Sequence, residues 1–348
     1  MGRANRTLCL PSGGNHTLGA RKIAGRILLS CAFLVVATLS CQFPAPAAPT
    51  PTIAAIPGTL ALTNDFAYYS SPAWSPDGSS IAALRGGTSL GPDNPFSEVD
   101  VVLFELDPGD HGRAIAIPTV APGSAYAPVM WQPGAEAISF YHFGFFGGKE
   151  GPYLLTYHPE SGEMSTTDFC RCTPVAFNEN GTELLVVDSP EGSFHLSWFN
   201  LASGETRSEL SLVRKDAQEH QYFGFALSPD KSILLLDDLD GNISKYEIGS
   251  GQPPVPFISL AASPAWSPDG SKLVYAQLPS TSTLDSYLGQ LVIANADGSS
   301  PETLFPAVQP AGMLSPAWSP DGTQIAFLYG SSRSNALLIA NLPERLRP

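Results

Sequence analysis

Short apolar runs, each preceded by a turn rich in serine, proline, aspartate and glycine, recur along most of the chain. The sequence Ser-Pro-Ala-Trp-Ser-Pro-Asp-Gly occurs three times, at residues 71–78, 263–270 and 315–322, and weaker copies lie between these. In every copy an apolar residue follows seven positions after an aromatic or apolar anchor. The anchors are Trp74, Trp131, Phe177, Leu227, Trp266 and Trp318. Six copies of one unit predict a repeat architecture.

The anchors are separated by 57, 46, 50, 39 and 52 residues. Strand-rich units of about 40–50 residues are typical of four-stranded propeller blades. In the turn, proline presets φ, aspartate accepts hydrogen bonds from local N–H groups, and glycine tolerates positive φ. The tryptophan before the turn offers a large flat surface that one blade can bury against the next. We therefore predict an all-β, six-bladed β-propeller of four-stranded antiparallel blades.

The repeats resemble those of the TolB-like, WD40-like propellers, in which a Pro-x-Trp-Ser-Pro-Asp-Gly turn precedes an apolar strand. Blade five shows the whole series of turn and strands, in Pro264–Gly270, Lys272–Gln277, Gln290–Ala294 and Glu302–Phe305. The resemblance covers residues 59–348 and implies a propeller of the cell envelope. TolB-family proteins also carry an amino-terminal α/β domain, for which we expect no room here.

The two ends of the repeat region complement each other. Residues 59–63 precede the first anchor, and the last unit, which ends with Asn335–Ala340, is one strand short. We predict that the N-terminal strand completes the last blade as its outer strand. Because ring closure removes the free edges that promote aggregation, we expect a monomeric propeller.

The first forty residues are typical of a targeting segment. Basic residues up to Arg26 precede an apolar stretch at 27–39, and Thr38-Leu39-Ser40-Cys41 resembles a bacterial lipobox. The resemblance implies a lipoprotein signal peptide at 1–40 and lipidation of Cys41. The alternative is ordinary signal-peptide cleavage nearby. Residues 41–58, rich in Pro, Ala and Thr, are expected to act as an extended tether. The propeller is then expected to be exported and lipid-anchored, on the outer face of the bacterial cytoplasmic membrane or in the periplasm.

The charge distribution excludes one class of partner. The first forty residues contain five of the 18 Lys and Arg residues and none of the 32 Asp and Glu residues. The remainder therefore carries a net charge of −19. This field repels phosphate backbones, so we expect no nucleic-acid binding.

The connections between the second and third strands of the blades predict a binding face. Three of them appear long, at Arg85–Val99, Phe143–Gly151 and Pro279–Gly289, and they share one face with the connections between blades. Binding residues concentrate on such loops. The aromatic segment 140–148 lies there, and its candidate ligand-binding residues are Tyr141, His142, Phe143, Phe145 and Phe146. The alternative is that Phe140 and His142 point inward while Phe145 and Phe146 cover the channel.

Two other clusters are candidate chemical sites. Cys170 and Cys172 are expected to be structural or incidental, either as an oxidised bridge in an exported protein or as two thiols. The acidic stretch 237–242 resembles part of a calcium loop, but Leu236 stands where the first ligand is required, so an acidic hairpin turn is the better interpretation. We expect no metal and no cofactor.

No arrangement of serine, histidine and aspartate points to a catalytic set. The sequence thus predicts a non-catalytic envelope lipoprotein whose propeller binds a protein or an envelope polymer through its long-loop face. The alternative is an envelope enzyme, a glycan lyase or hydrolase, with its site at the mouth of the channel. Fold alone does not decide between the two.

Overall fold

The computed structural model describes residues 56–63, 67–86, 99–106, 113–117, 123–134, 137–146, 149–188, 193–213, 222–238, 241–279, 289–307, 311–330 and 334–348. These residues form six four-stranded antiparallel sheets, the blades of a β-propeller. Blade one contains β2 (Tyr68–Trp74), β3 (Ser80–Gly86), β4 (Val99–Glu105) and β5 (Arg113–Ile117). Blade two contains β6 (Gly123–Trp131), β7 (Ile138–Phe146), β8 (Lys149–His158) and β9 (Glu163–Asp168). Blade three contains β10 (Thr173–Phe177), β11 (Glu183–Asp188), β12 (Ser193–Asn200) and β13 (Thr206–Val213).

The other three blades repeat the same order. Blade four contains β14 (Tyr222–Leu227), β15 (Ile233–Asp238), β16 (Asn242–Glu247) and β17 (Val255–Ser259). Blade five contains β18 (Ala261–Trp266), β19 (Lys272–Gln277), β20 (Gln290–Asn295) and β21 (Glu302–Phe305). Blade six contains β22 (Gly312–Trp318), β23 (Gln324–Gly330), β24 (Asn335–Asn341) and, as its outer strand, β1 (Thr59–Ala61). A short 3-10 helix at Glu344–Leu346 follows β24.

The N-terminal strand closes the ring, as the sequence predicted. Strand β1 pairs with β24 in antiparallel register, with Thr59 opposite Ala340 and Ala61 opposite Leu338. The first strands of neighbouring blades contact each other all the way round, so these strands surround the central channel. The six-bladed, four-stranded fold predicted from the repeat is therefore confirmed.

The hydrophobic core is divided into six parts, one at each seam between blades. The seam between blades six and one, for example, buries Ile81 and Phe104 of blade one against Leu328 and Leu337 of blade six. The other five clusters likewise combine residues of two adjacent blades. Since both faces of each sheet are apolar, no blade can bury its own surface, and the closed ring is what removes these faces from water.

The Ser-Pro-Asp-Gly turns join the first and second strands and share one hydrogen-bond pattern. In blade one the Ser75 hydroxyl donates to Asp77 at 2.6 Å, and the Ser79 N–H donates to the same carboxylate at 3.0 Å. The Ser75 hydroxyl oxygen accepts from the Ser80 N–H at 2.9 Å. Gly78 has a φ of +75°, which explains glycine at this position. We call the end of the channel that carries these turns, and the corresponding turns of the other three blades, the turn face.

Each tryptophan anchor also bonds to the preceding blade. The indole N–H of Trp74 donates to the Ala317 carbonyl at 3.1 Å, and that of Trp318 donates to the Ala265 carbonyl at 3.3 Å. Trp131 and Trp266 make the equivalent bonds to the blades before them. The tryptophans therefore join neighbouring sheets by a directed hydrogen bond as well as by packing. Blades three and four, whose anchors are Phe177 and Leu227, have no indole at this position.

The predicted signal segment at 1–40, Cys41 and the tether as far as residue 55 lie outside the described residues. In the part of the chain that the structure describes, no helix is long and apolar enough to cross a membrane.

Candidate binding site

Among the described residues, blade two extends farther than the other blades on the long-loop face, the end of the channel opposite the turn face. Strand β7 continues for eight residues beyond Ile138, whereas β19 continues for four beyond the equivalent Leu273. The difference corresponds to about 13 Å of strand. Pairing between β7 and β8 runs out to Phe146, which lies opposite Lys149. The blade-two extension, residues 143–146 with 149–152, is therefore a paired hairpin.

This finding corrects the predicted loop at Phe143–Gly151. Glycines favour loops over strands, and this segment contains four of them, at positions 144, 147, 148 and 151. In the structure Gly123, Gly144 and Gly151 lie side by side in one row across β6, β7 and β8. The three weak strand formers are thus confined to one row. The aromatic residues on either side of the row have high strand propensity, so the segment forms paired strands instead of a loop. The other two long connections, at 87–98 and 280–288, fall outside the described residues.

The five candidate ligand-binding residues all lie on β7. Tyr141 is half-buried, and its ring packs edge-on against Phe169 with ring centroids 6.0 Å apart. His142 is buried, and burial lowers the pKa of its imidazole, so the ring is neutral at pH 7. Phe143 and Phe145 lie opposite Pro152 and Glu150 on β8. The side chains of Phe143, Phe145 and Phe146 are outside the described part of the structure.

An aromatic cluster supports the base of the extension. Phe169 packs against Phe199 of blade three with ring centroids 4.9 Å apart, and both belong to the core between blades two and three. Cys170 and Cys172 are joined by a disulfide with a Cα–Cα distance of 5.2 Å, and Cys172 is buried in the same core. Of the two states left open from the sequence, the structure shows the oxidised bridge. It fixes the connection from β9 to β10 directly beside Tyr141.

The acidic stretch at 237–242 binds backbone groups. Asp237 lies within β15 and accepts hydrogen bonds from the N–H groups of Gly224 in its own blade and Ser263 in blade five, the latter at 2.7 Å. Asp238 accepts from the Asn242 N–H at 2.8 Å, as expected for an acidic turn. Asp237 therefore joins two blades, a role that the sequence analysis missed. Among the described residues, no three His, Cys, Asp or Glu side chains are grouped closely enough to hold a metal ion.

No family model matches the chain. Over 52 residues the chain is 40% identical to the Tol-Pal system protein TolB of Methylococcus capsulatus, and 38% identical to that of Thioalkalivibrio sulfidiphilus. Each match covers 15% of this chain and 12% of the relative. The similarity to these relatives is therefore confined to a small part of their length.

Solved structures match over most of the chain. A putative TolB from Agrobacterium tumefaciens has a TM-score of 0.55 and 17% identity, over 81% of this chain and 93% of that one. An oligogalacturonate lyase from Vibrio parahaemolyticus has a TM-score of 0.55 and 13% identity, over 83% of this chain and 94% of that one. An oligogalacturonate lyase in complex with manganese has a TM-score of 0.51 and 16% identity, over the same shares. At such identities the likeness shows fold alone, and by fold the described part of the chain is a TolB-like six-bladed β-propeller.

Proposed function

We propose that the chain is a non-catalytic lipoprotein of the cell envelope whose propeller binds a protein or an envelope polymer through the long-loop face. The observation that carries this proposal is the blade-two extension, which presents the aromatic segment on paired strands. Binding residues are most effective on a rigid scaffold, because little conformational entropy is lost when the partner binds. The residues assigned to contact with the partner are Tyr141, Phe143, Phe145 and Phe146, whereas His142, which is buried, supports the strand beneath them.

The base of the extension is fixed where it joins the ring. Phe140 and Tyr141 pack into the cores on opposite sides of blade two, so successive residues of β7 anchor it to both neighbours. The Cys170–Cys172 disulfide and Phe169 hold the adjacent connection. Aromatic residues are enriched among the side chains that dominate binding energy at protein interfaces. A fixed base with aromatic residues at its tip fits a docking element better than a mobile lid.

The proposed location follows from the N-terminal sequence. A lipid on Cys41 and a Pro-rich tether would hold the propeller outside the cytoplasmic membrane, facing partners in the envelope. The two short TolB matches support an exported protein. The similar fold of the putative TolB structure supports a binding role for the propeller.

Photo-crosslinking tests the binding face. A benzophenone amino acid placed at Phe146 in the cell-expressed protein is expected to capture one discrete envelope component, because the extension is assigned to the interface. The same probe at Val255, an exposed residue on the outer strand of blade four, serves as the control. With the probe moved to Phe143, the double substitution Phe145→Ser/Phe146→Ser should abolish capture. Equal capture from position 255 would contradict the assignment.

Lipidation of Cys41 has its own test. Cys41→Ser is expected to move the protein from the membrane fraction to the soluble fraction and to remove the mass of the acyl chains from the mature N-terminus. Cys31→Ser is the matched control, since Cys31 lies in the predicted signal segment and receives no lipid. Ordinary cleavage without lipidation would leave both variants in the same fraction as the parent.

The second candidate function is a glycan lyase, favoured by the fold shared with the oligogalacturonate lyases. Incubation of the full-length chain with oligogalacturonate, with and without Mn²⁺, and measurement of the ultraviolet absorbance of unsaturated product separates the two functions. We expect no turnover. Formation of unsaturated product would contradict the non-catalytic proposal and support a lyase.

A further inference from the structure

The channel has a pocket at its turn-face end, lined mainly by apolar residues. The pocket has a volume of about 490 Å³ and is bounded by residues of blades one, four, five and six. Its wall repeats one sequence, Pro-Ala-Trp, at 72–74, 264–266 and 316–318. The volume is within the range of small-ligand sites, and its walls suit an apolar side chain.

The tryptophans of this turn-face pocket present mainly carbon surface to it. The indole N–H of Trp266 donates to the Ala226 carbonyl, and Trp74 and Trp318 donate in the same way to Ala317 and Ala265. The indole N–H groups and the alanine carbonyls are therefore already hydrogen-bonded to each other within the pocket wall. An apolar group entering the pocket meets rings, prolines and methyl groups, with polar atoms of the wall between them.

Carboxylates surround the turn-face pocket. Pro229, Pro268 and Pro320 line it, and each is followed by an exposed aspartate of the turn motif. Adjacent turns touch, since a Cβ built on Gly270 would lie 3.6 Å from Pro229 Cδ. The described inner turns carry five acidic residues against the single cation Lys231. The acidic residues are Asp77, Glu179, Asp230, Asp269 and Asp321.

Local hydrogen bonds lower the pKa of each of the four aspartates and so favour their ionised form. The Ser228 hydroxyl lowers the pKa of Asp230, and the Ser319 hydroxyl does the same for Asp321. Lys231 is half-buried and interacts with Glu179 and Asp230, so it offsets one of the five negative charges and leaves the rim acidic. An apolar pocket within a negative rim complements a partner that is apolar at one point and basic around it.

We propose that the turn face docks a cationic peptide segment of a partner protein, with one apolar side chain in the turn-face pocket and basic residues against the rim carboxylates. This surface is separate from the blade-two extension. Successive connections of an antiparallel blade emerge at opposite ends of the channel, so the long-loop face stays free. A propeller with both surfaces can hold two partners at once.

Fluorescence anisotropy on the full-length chain tests the docking chemistry with three labelled peptides. The sequence Lys-Lys-Leu-Lys-Lys is expected to bind, and to weaken as salt is raised. Lys-Lys-Gly-Lys-Lys lacks the apolar side chain and should bind about tenfold more weakly. Glu-Glu-Leu-Glu-Glu should not bind. Equal affinity of the leucine and glycine peptides, or no binding of the leucine peptide, would overturn the proposal.

Charge-neutralising variants locate the site. The rim variant D77N/D230N/D269N/D321N keeps the acceptor oxygen of each turn, because blade three already has Asn180 there, accepting from the Thr182 hydroxyl at 2.8 Å. It should weaken leucine-peptide binding about tenfold or more. The control variant E160Q/D188N/E205Q/E247Q removes the same charge from exposed positions away from the pocket.

The control variant should bind the leucine peptide with an affinity within about twofold of that of the parent chain. Equal weakening by both variants would reduce the effect to net charge and overturn the docking surface. Sedimentation of the unliganded chain supplies a second readout. Self-association that the rim variant abolishes would make a second copy of the chain the occupant and would also overturn the proposal. Cross-linking through Phe146 is independent of all these outcomes.

Discussion

Replacing Trp318 by alanine is expected to lower the free energy of unfolding by about 3–5 kcal/mol. The side chain is 7% exposed and lies in the core between blades five and six. Its removal leaves a cavity at the seam and frees the Ala265 carbonyl from the indole N–H. Urea unfolding followed by far-ultraviolet circular dichroism measures the loss.

Trp318→Phe separates the two contributions. The ring is kept in part and the hydrogen bond is lost, so we expect a smaller loss of about 1–2 kcal/mol. Val255→Ala is the control, since Val255 is 56% exposed and its change should be within about 0.5 kcal/mol. If Trp318→Ala were as stable as this control, the tryptophan anchors would not hold the blades together.

Asp237→Ala is expected to lower the free energy of unfolding by about 2–4 kcal/mol. The substitution leaves the N–H groups of Gly224 and Ser263 without this acceptor, and Ser263 lies at positive φ in a bulge of β18. Gly224 has no room for a Cβ, which would collide with the Asp237 carboxylate. The aspartate, the glycine and the bulge therefore depend on one another. Thermal and urea unfolding measure the effect.

Asp238→Ala is the matched control, because Asp238 binds the Asn242 N–H within a local turn. We expect a loss of about 1 kcal/mol there. If residues 237–242 bound calcium instead, Ca²⁺ would stabilise the parent chain, and both substitutions would remove that stabilisation. Stabilisation of the parent chain by Ca²⁺ that both substitutions abolish would contradict the role of Asp237 as a link between blades.

The repeat was sufficient to predict the fold because its signals are local. The step of seven residues leads from the tryptophan at the end of a first strand, through one turn, to the apolar residue that pairs with it on the second strand. The missing strand of the last blade then determined where the ring closes. Each of these inferences used residues close in sequence.

The features that the sequence analysis missed depend on register between distant residues. The glycine row of blade two appears only once β6, β7 and β8 are aligned, and β6 begins 28 residues before Gly151. The contact of Asp237 with Ser263 joins residues 26 apart. The turn-face pocket likewise assembles residues of four blades. Local patterns predict strands and turns, whereas the two proposed binding surfaces arise from alignment of separate strands and repeats.

Ring closure constrains the order in which the chain can fold. Asn335 bonds the Tyr69 backbone from 266 residues away, and Thr63 accepts from the Leu337 N–H across 274. Contacts between the two ends of a chain are slow to form, because so much intervening backbone must first be ordered. Strand β1 is made early and stays without its partner strand until β24 of the final blade is available. A chain that stops before Asn335 leaves β1 without its partner strand, so the propeller is completed only after synthesis has passed that point.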